Sequence, residues 1–201
     1  MKKSLLVIAA ATLLASTGIN AQNGYDNTKH EVAVGYGMLS NSQWLDIFAE
    51  VAVMEAGTTF SNENFVGTYS AEYLYRATKW LGLGCIFTFG QSSMDYTTQA
   101  GGSREGFITN LYFSLMPAVK FDWLRTNHFG MYSKLAVGYT YRTIAIDYED
   151  ASKEDVNDNL GHLNWQASLL GIEAGGPQLR GYLEAGVGEQ GVAVIGLRYK
   201  F

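Results

Sequence analysis

Residues 129–143 read Phe-Gly-Met-Tyr-Ser-Lys-Leu-Ala-Val-Gly-Tyr-Thr-Tyr-Arg-Thr. Taken every second residue, one set is Phe129, Met131, Ser133, Leu135, Val137, Tyr139 and Tyr141. The other is Gly130, Tyr132, Lys134, Ala136, Gly138, Thr140 and Arg142. A period of two is the side-chain spacing of a β-strand, whose successive Cβ atoms point to opposite faces. Both charges fall in one set, with the glycines; the other set is apolar and aromatic apart from Ser133. The same split recurs at 31–38, 65–76, 81–90, 107–121, 162–169, 179–188 and 191–201, which makes eight segments.

Alternation alone also fits a soluble sandwich, so the placement of charge decides. Charged residues are 16% of the chain, enough to put several on the apolar sets by chance. Those sets hold none, as expected where a lipid-facing charge costs about 2–4 kcal/mol. The opposite sets carry Glu31, Glu72, Arg76, Lys120, Lys134, Arg142, Arg180, Glu184, Arg198 and Lys200. A water-soluble sandwich has the reverse arrangement, with charges outward over an apolar interior. The pattern therefore predicts an all-β fold, a membrane-spanning eight-stranded antiparallel up-and-down β-barrel with charge inside. Glu173 breaks the rule unless a bulge near Gly171 shifts the register. Pro117 removes a ladder hydrogen bond, so a second bulge is expected there, toward the periplasmic end.

The rest of the chain sets the compartment. Residues 1–21 begin with Lys2 and Lys3, continue in an apolar run from Leu5 to Leu14 and end in Ile19-Asn20-Ala21. That run is too short to span a bilayer and reads as a cleaved signal peptide, leaving 22–201 as one barrel domain. Cys85 is the sole cysteine, so no intrachain disulfide can form, and none at the cleavage point offers a lipid anchor. The net charge of −5 falls to about −7 without Lys2 and Lys3, the wrong sign for a nucleic-acid binder. With 47% hydrophobic residues, two prolines and scattered glycines, disorder and collagen are excluded.

The connections alternate between short links at 77–79, 122–128 and 175–178 and long ones at 39–64, 91–106 and 144–161, with a tight turn around Glu189-Gln190. Outer-membrane barrels pair short periplasmic turns with long outside loops and an even strand number. Eight strands then place both termini in the periplasm and the long links outside. Within the first long link, Ser42 to Ala56 reads as a short helix packed over the barrel rim. Ser42 would cap it, Gly57 would end it, and Trp44, Leu45, Phe48, Val51 and Ala52 share a face. Aromatic belts are expected at both membrane interfaces: Tyr75, Trp80, Phe121, Trp123, Phe129, Tyr199 and Phe201 at one, Phe65, Phe89, Phe107, Tyr141 and Trp165 at the other.

The last strand, Ile195-Gly196-Leu197-Arg198-Tyr199-Lys200-Phe201, ends on an aromatic residue with Leu197 and Tyr199 on its outward face. It resembles the terminal signal by which the barrel assembly machinery of Gram-negative outer membranes takes up its clients. The whole mature chain resembles a small eight-stranded outer-membrane barrel, similar in plan to OmpX and the OmpA transmembrane domain. Leu115 to Leu124 and His128 to Lys134 resemble an uncharacterised outer-membrane β-barrel family. The resemblance implies a cell-envelope, porin-like protein of the outer membrane. It also implies lipid and lipopolysaccharide as surroundings, and Leu197, Tyr199 and Phe201 as the assembly signal. It brings no activity.

The inward charges are the best-defined constellation. A barrel this narrow is filled by side chains, so the charges are expected to pair as an ionic plug, for instance Glu72 with Arg76, Arg142 or a neighbour. Gly82, Gly84, Gly90, Gly130 and Gly138 would make room for them. Seven of these ten charges are basic, so a conducting lumen would lean toward anions. A lipid A-modifying enzyme is the other alternative. None of His30, His128 and His162 is followed two residues later by the serine that the deacylases use, although His162 with Asp158 and Ser152 imitates the palmitoyltransferase set. Asp147, Glu149, Asp150, Glu154, Asp155 and Asp158 form an acidic third loop whose spacing does not fit an EF-hand and reads as a solvated surface. Gly101-Gly102-Ser103-Arg104 lacks the strand-to-helix context of a phosphate cradle, and Cys85 reads as a small lipid-facing residue. The sequence thus predicts a non-enzymatic barrel without cofactor or metal, structural or engaging an extracellular ligand through its loops.

Overall fold

Eight strands form where the alternation runs: β1 (His30–Met38), β2 (Thr58–Arg76), β3 (Leu81–Thr98), β4 (Arg104–Arg125), β5 (Phe129–Tyr148), β6 (Val156–Gly175), β7 (Leu179–Gly188) and β8 (Ala193–Lys200). The computed structural model describes residues 26–45, 47, 58–98, 104–148 and 156–201. The proposed signal segment 1–21 lies outside the described residues. Each strand pairs antiparallel with the next, and β8 returns to β1, where Val34 opposes Leu197 and Gly35 opposes Gly196. The result is a closed up-and-down barrel, which leaves no open edge where the ring is complete. No described helix is long and apolar enough to cross a membrane, and the apolar outer face belongs to the strands. On β5, Leu135, Val137, Tyr139 and Tyr141 are exposed, whereas Tyr132, Lys134, Ala136 and Thr140 are buried.

Strand length is uneven. β1, β7 and β8 have 9, 10 and 8 residues, close to the about 9–11 that cross a bilayer with tilt. β2 to β6 have 18 to 22. Beyond Thr68 on β2 and Gln166 on β6 these strands pair only among themselves, forming a wall that runs on about 30 Å along the tilted strands. The long links are accordingly shorter than the alternation suggests, 39–57, 99–103 and 149–155, because the strands continue past the apolar band.

Register shifts mark where the period-two reading breaks. In β6 both ladders slip around Leu169, from Ser168 to Leu170 on one side and from Ser168 to Gly171 on the other. That bulge returns Glu173 to the inside, where it is buried. In β4 the slip lies between Asp122 and Leu124, not at Pro117. Pro117 stands opposite Cys85, and β4 keeps one register from Leu115 to Ala118 against β5, so the missing N–H is absorbed without a bulge. In β2 a shift between Val66 and Thr68 sets Val66 opposite Gln91 and Thr68 opposite Gly90.

The helix of the first link starts earlier than its sequence suggests. Leu39, at φ 62°, turns the chain off the barrel wall, and 41–45 are helical. Ser40 caps it: its Oγ accepts from Gln43 N at 3.3 Å and its carbonyl from Trp44 N at 3.0 Å. Ser42 is instead inside the first turn, with its hydroxyl turned to the lumen. Residues 46 and 48–57, including the expected Phe48, Val51 and Ala52, lie outside the described residues.

Candidate functional site

The barrel interior is the only place among the described residues where ionisable side chains converge in number, and it is stratified along the barrel axis. At the end bearing the short links 77–80, 126–128 and 176–178, four carboxylates meet five cations and a sixth shared with the next layer. Lys120 Nζ lies 2.7 Å from Glu31, 3.3 Å from Asp122 and 3.6 Å from Glu173. Arg125 reaches Glu31 at 2.5 Å, Asp122 at 3.0 Å and Asp26 at 3.2 Å. Arg180 bridges Glu173 at 2.8 Å and Asp26 at 3.3 Å. Lys200 pairs with Glu173, with Asp26 at 3.1 Å and with Glu31 at 3.7 Å. Arg76, at the end of β2, lies 3.9 Å from Asp26.

Arg198 joins this layer to the next. It reaches Glu173 at 2.8 Å and Glu72 at 3.2 Å, with its guanidinium 4.7 Å from the Tyr132 ring and 4.8 Å from the Tyr182 ring. Midway, Lys134 is held between Glu72 at 2.5 Å and Glu184 at 2.9 Å. Tyr132 and Ser168 donate to Glu184 at 2.7 and 2.6 Å, and Gln190 donates to Glu72 at 2.7 Å. Of the partners expected for Glu72, it takes neighbouring inward cations, Lys134 and Arg198, and not Arg76 or Arg142. Arg76 is four residues along the same strand, about 13 Å away at strand rise. Arg142 sits farther out, 5.4 Å from the Tyr112 ring.

The third layer closes the opposite end without cations. The β7–β8 turn folds inward, with Gly188 at φ 139° and Gly191 at φ 115°, and lodges Glu189 and Gln190 in the lumen. A Cβ at Gly37 would meet the Gln190 carbonyl, so the turn packs directly on β1. Glu189 accepts from Ser42 Oγ at 2.7 Å, Ser42 N at 3.2 Å, Asn164 Nδ2 at 2.8 Å and Ser114 Oγ at 3.2 Å. Burial raises its carboxyl above the ordinary range, against the pull of these neutral donors. Asn41 donates to Asn164 at 2.8 Å, tying the first helical turn to β6.

Nine of the ten sequence-predicted charges are buried in the lumen, and Arg142 is half-buried beside the Tyr112 ring. Five participants were not among them: Asp26, Asp122, Arg125, Glu173 and Glu189. Among the described residues the lumen therefore holds eight basic and seven acidic side chains, close to neutral, and the expected basic excess is lost. It also holds an apolar cluster of Leu74, Ile86, Met116, Ala118 and Ala136. Of the inward glycines, Gly130 makes room for Glu173, while Gly84 and Gly138 are pressed against backbone carbonyls of the neighbouring strand and leave no such space.

Other candidates lie apart. Leu197, Tyr199 and Phe201 are exposed on the outer face; the Phe201 ring stacks on Tyr199 at 5.9 Å and His30 at 5.3 Å. His30 also meets the Tyr73 hydroxyl at 2.9 Å, and His128 meets the Gly175 carbonyl at 3.0 Å. His162 and Asp158 are four residues apart on β6, about 13 Å at strand rise, so they do not meet as an acid–base pair. Ser152, Glu149, Asp150, Glu154, Asp155 and Gly101 to Ser103 lie outside the described residues. Cys85 is exposed on the outer face. No group of metal-binding side chains occurs among the described residues.

A closed eight-stranded barrel with apolar outside and charge inside defines the class, a small membrane-spanning β-barrel. No protein-family model and no curated protein sequence matches the chain. Among solved structures it is similar to Ail, the attachment invasion locus protein of Yersinia pestis. In the crystal structure of Ail with the heparin analogue sucrose octasulfate, the match covers 87% of this chain and 99% of that one, at 11% identity and a TM-score of 0.48. A second crystal structure of Ail covers the same shares at 13% identity and a TM-score of 0.42.

Proposed function

We propose that this protein is an outer-membrane barrel with a sealed interior that works at its surface rather than as a pore. Its tall β2–β6 wall and the links 39–57, 99–103 and 149–155 would meet an extracellular ligand. The observation that carries the reading is the near-balanced ion network. Lys134, Arg180, Arg198 and Lys200 are fully buried, each paired with carboxylates, across a lumen too narrow to hydrate them. An anion-leaning channel would need unpaired basic groups along a water path, and the cross-barrel carboxylates neutralise those groups.

In this reading residues 1–21 direct export, both termini face the periplasm and the short turns lie there. Leu197, Tyr199 and Phe201 present the assembly signal to the barrel machinery, and the outer face meets lipid and lipopolysaccharide. The test is conductance of the refolded barrel in planar bilayers, with the Glu72→Ala/Lys134→Ala double variant as comparison. A parent without resolved channels fits the sealed interior. Steady anion-selective openings of the parent would overturn it. Lipid mass spectrometry of a deletion strain and its complemented parent tests the enzymatic alternative, which predicts an acyl-mass shift restored by the gene.

A further inference from the structure

Ahead of β1 the chain bends into the short-turn mouth, where Asp26 is 3% exposed. Its carboxylate stands among cations from four different strands: Arg125 of β4 at 3.2 Å, Arg180 of β7 at 3.3 Å, Lys200 of β8 at 3.1 Å and Arg76 of β2 at 3.9 Å. Its backbone carbonyl accepts from Arg76 Nη1 at 2.5 Å and Arg125 Nε at 3.4 Å. Thr28 donates to the carboxylate through its hydroxyl at 2.6 Å and its N–H at 3.0 Å. Asp26 itself belongs to no strand; it is an anion on a strap.

The wall around it is cationic even with that anion in place. Lys120, Arg125, Arg180 and Lys200 face Glu31, Asp122 and Glu173, Arg76 stands beside them, and Arg198 is shared with Glu72 of the next layer, so without Asp26 five cations and a shared sixth meet three carboxylates. Arg76 is more than nine-tenths buried, and its Nη2 makes no hydrogen bond. Buried guanidinium groups need counter-charge, and their forked N–H geometry suits carboxylate and phosphate oxygens alike.

We propose that the short-turn mouth is an oxyanion-binding site formed by Arg76, Arg125, Arg180 and Lys200. Asp26 occupies it as a tethered internal ligand, and a free carboxylate or phosphate takes its place when the strap withdraws. The site is complete only in the closed barrel, because its cations arrive from β2, β4, β7 and β8. An anion bound there therefore stabilises closure by mass action. The proposal is independent of what the long loops bind.

Asp26→Ala and Asp26→Asn, refolded into neutral phosphatidylcholine vesicles, give the test through urea unfolding followed by tryptophan fluorescence. Phosphate, acetate and chloride are titrated at matched ionic strength, which removes general screening. Both variants should unfold at lower urea than the parent in chloride. Phosphate or acetate should restore at least half of the lost midpoint, saturably, while the parent shifts little. Adding Arg125→Gln to Asp26→Ala should abolish the rescue. An equal response of a variant to all three salts, or a gain in the parent as large as in the variants, overturns the proposal. If neither variant refolds in chloride, refolding yield decides: recovery in phosphate supports the site and failure in every salt rejects it.

Discussion

Ser133 interrupts the apolar outer face of β5, and its hydroxyl has a task there. The bulge at Leu169 takes that residue's carbonyl out of the ladder, and Ser133 Oγ donates to it at 2.7 Å. In hydrocarbon no water is present to replace that bond. Ser133→Ala should destabilise the folded barrel by about 1–3 kcal/mol in urea unfolding from vesicles, and Ser133→Thr should retain most of the stability. Asp26 yields a pH dependence. Burial works to raise its carboxyl, but the Thr28 hydroxyl and the charges of Lys200 and Arg125 outweigh it and hold the group below its ordinary 3.8. A depressed folded-state value adds stability that is complete above the unfolded value and is lost as pH falls through the folded one. The stability gap between parent and Asp26→Asn should therefore be full at pH 7 and shrink below about pH 4. A gap that widened on acidification would contradict this assignment.

At the scale of elements, bulges decide which side a charge faces. Without the extra residue at Leu169, Glu173 would face lipid, and Leu170 and Ile172 would turn inward. Deleting Leu169 should therefore abolish the heat-modifiable gel shift of a folded barrel, whereas deleting Gln178 in the adjoining turn should leave it. The sequence flags this site because Glu173 violates the alternation. The β4 bulge carries no such flag. Trp123 and Leu124 are both exposed, which suits the interface, and only the slipped ladder shows that Arg125 returns to the lumen. Asp26 and Glu189 escape a period-two reading for a different reason: they sit on a strap and in a turn, where no period applies. The Pro117 expectation failed because a proline costs one donor, and β4 gives up that contact without shifting register.

For the whole molecule, polarity is the governing property, and two neighbouring residues measure it. Lys134 faces the lumen between Glu72 and Glu184, and Leu135 faces outward. Lys134→Ala leaves the buried pair Glu72 and Glu184 with Arg198 as their remaining cation and should cost about 3 kcal/mol in urea unfolding. Leu135→Arg puts a charge in lipid at about 2–4 kcal/mol and should lower insertion into vesicles. If Leu135→Arg inserted as well as the parent, the inside-out arrangement would be wrong. By itself the sequence determined that this chain makes eight strands with charge on one face and aliphatic and aromatic groups on the other. Those are local properties, written in the two-residue period and in the cost of a charge in hydrocarbon. Only the tertiary structure decided which charges meet. The partners lie across the ring, as far apart in the chain as Asp26 and Lys200, 174 residues, and bulges, an inward turn and the closing seam bring them together. The near-neutral lumen is a product of that closure, since five of the fifteen charges it holds among the described residues reach it from positions the alternation does not mark.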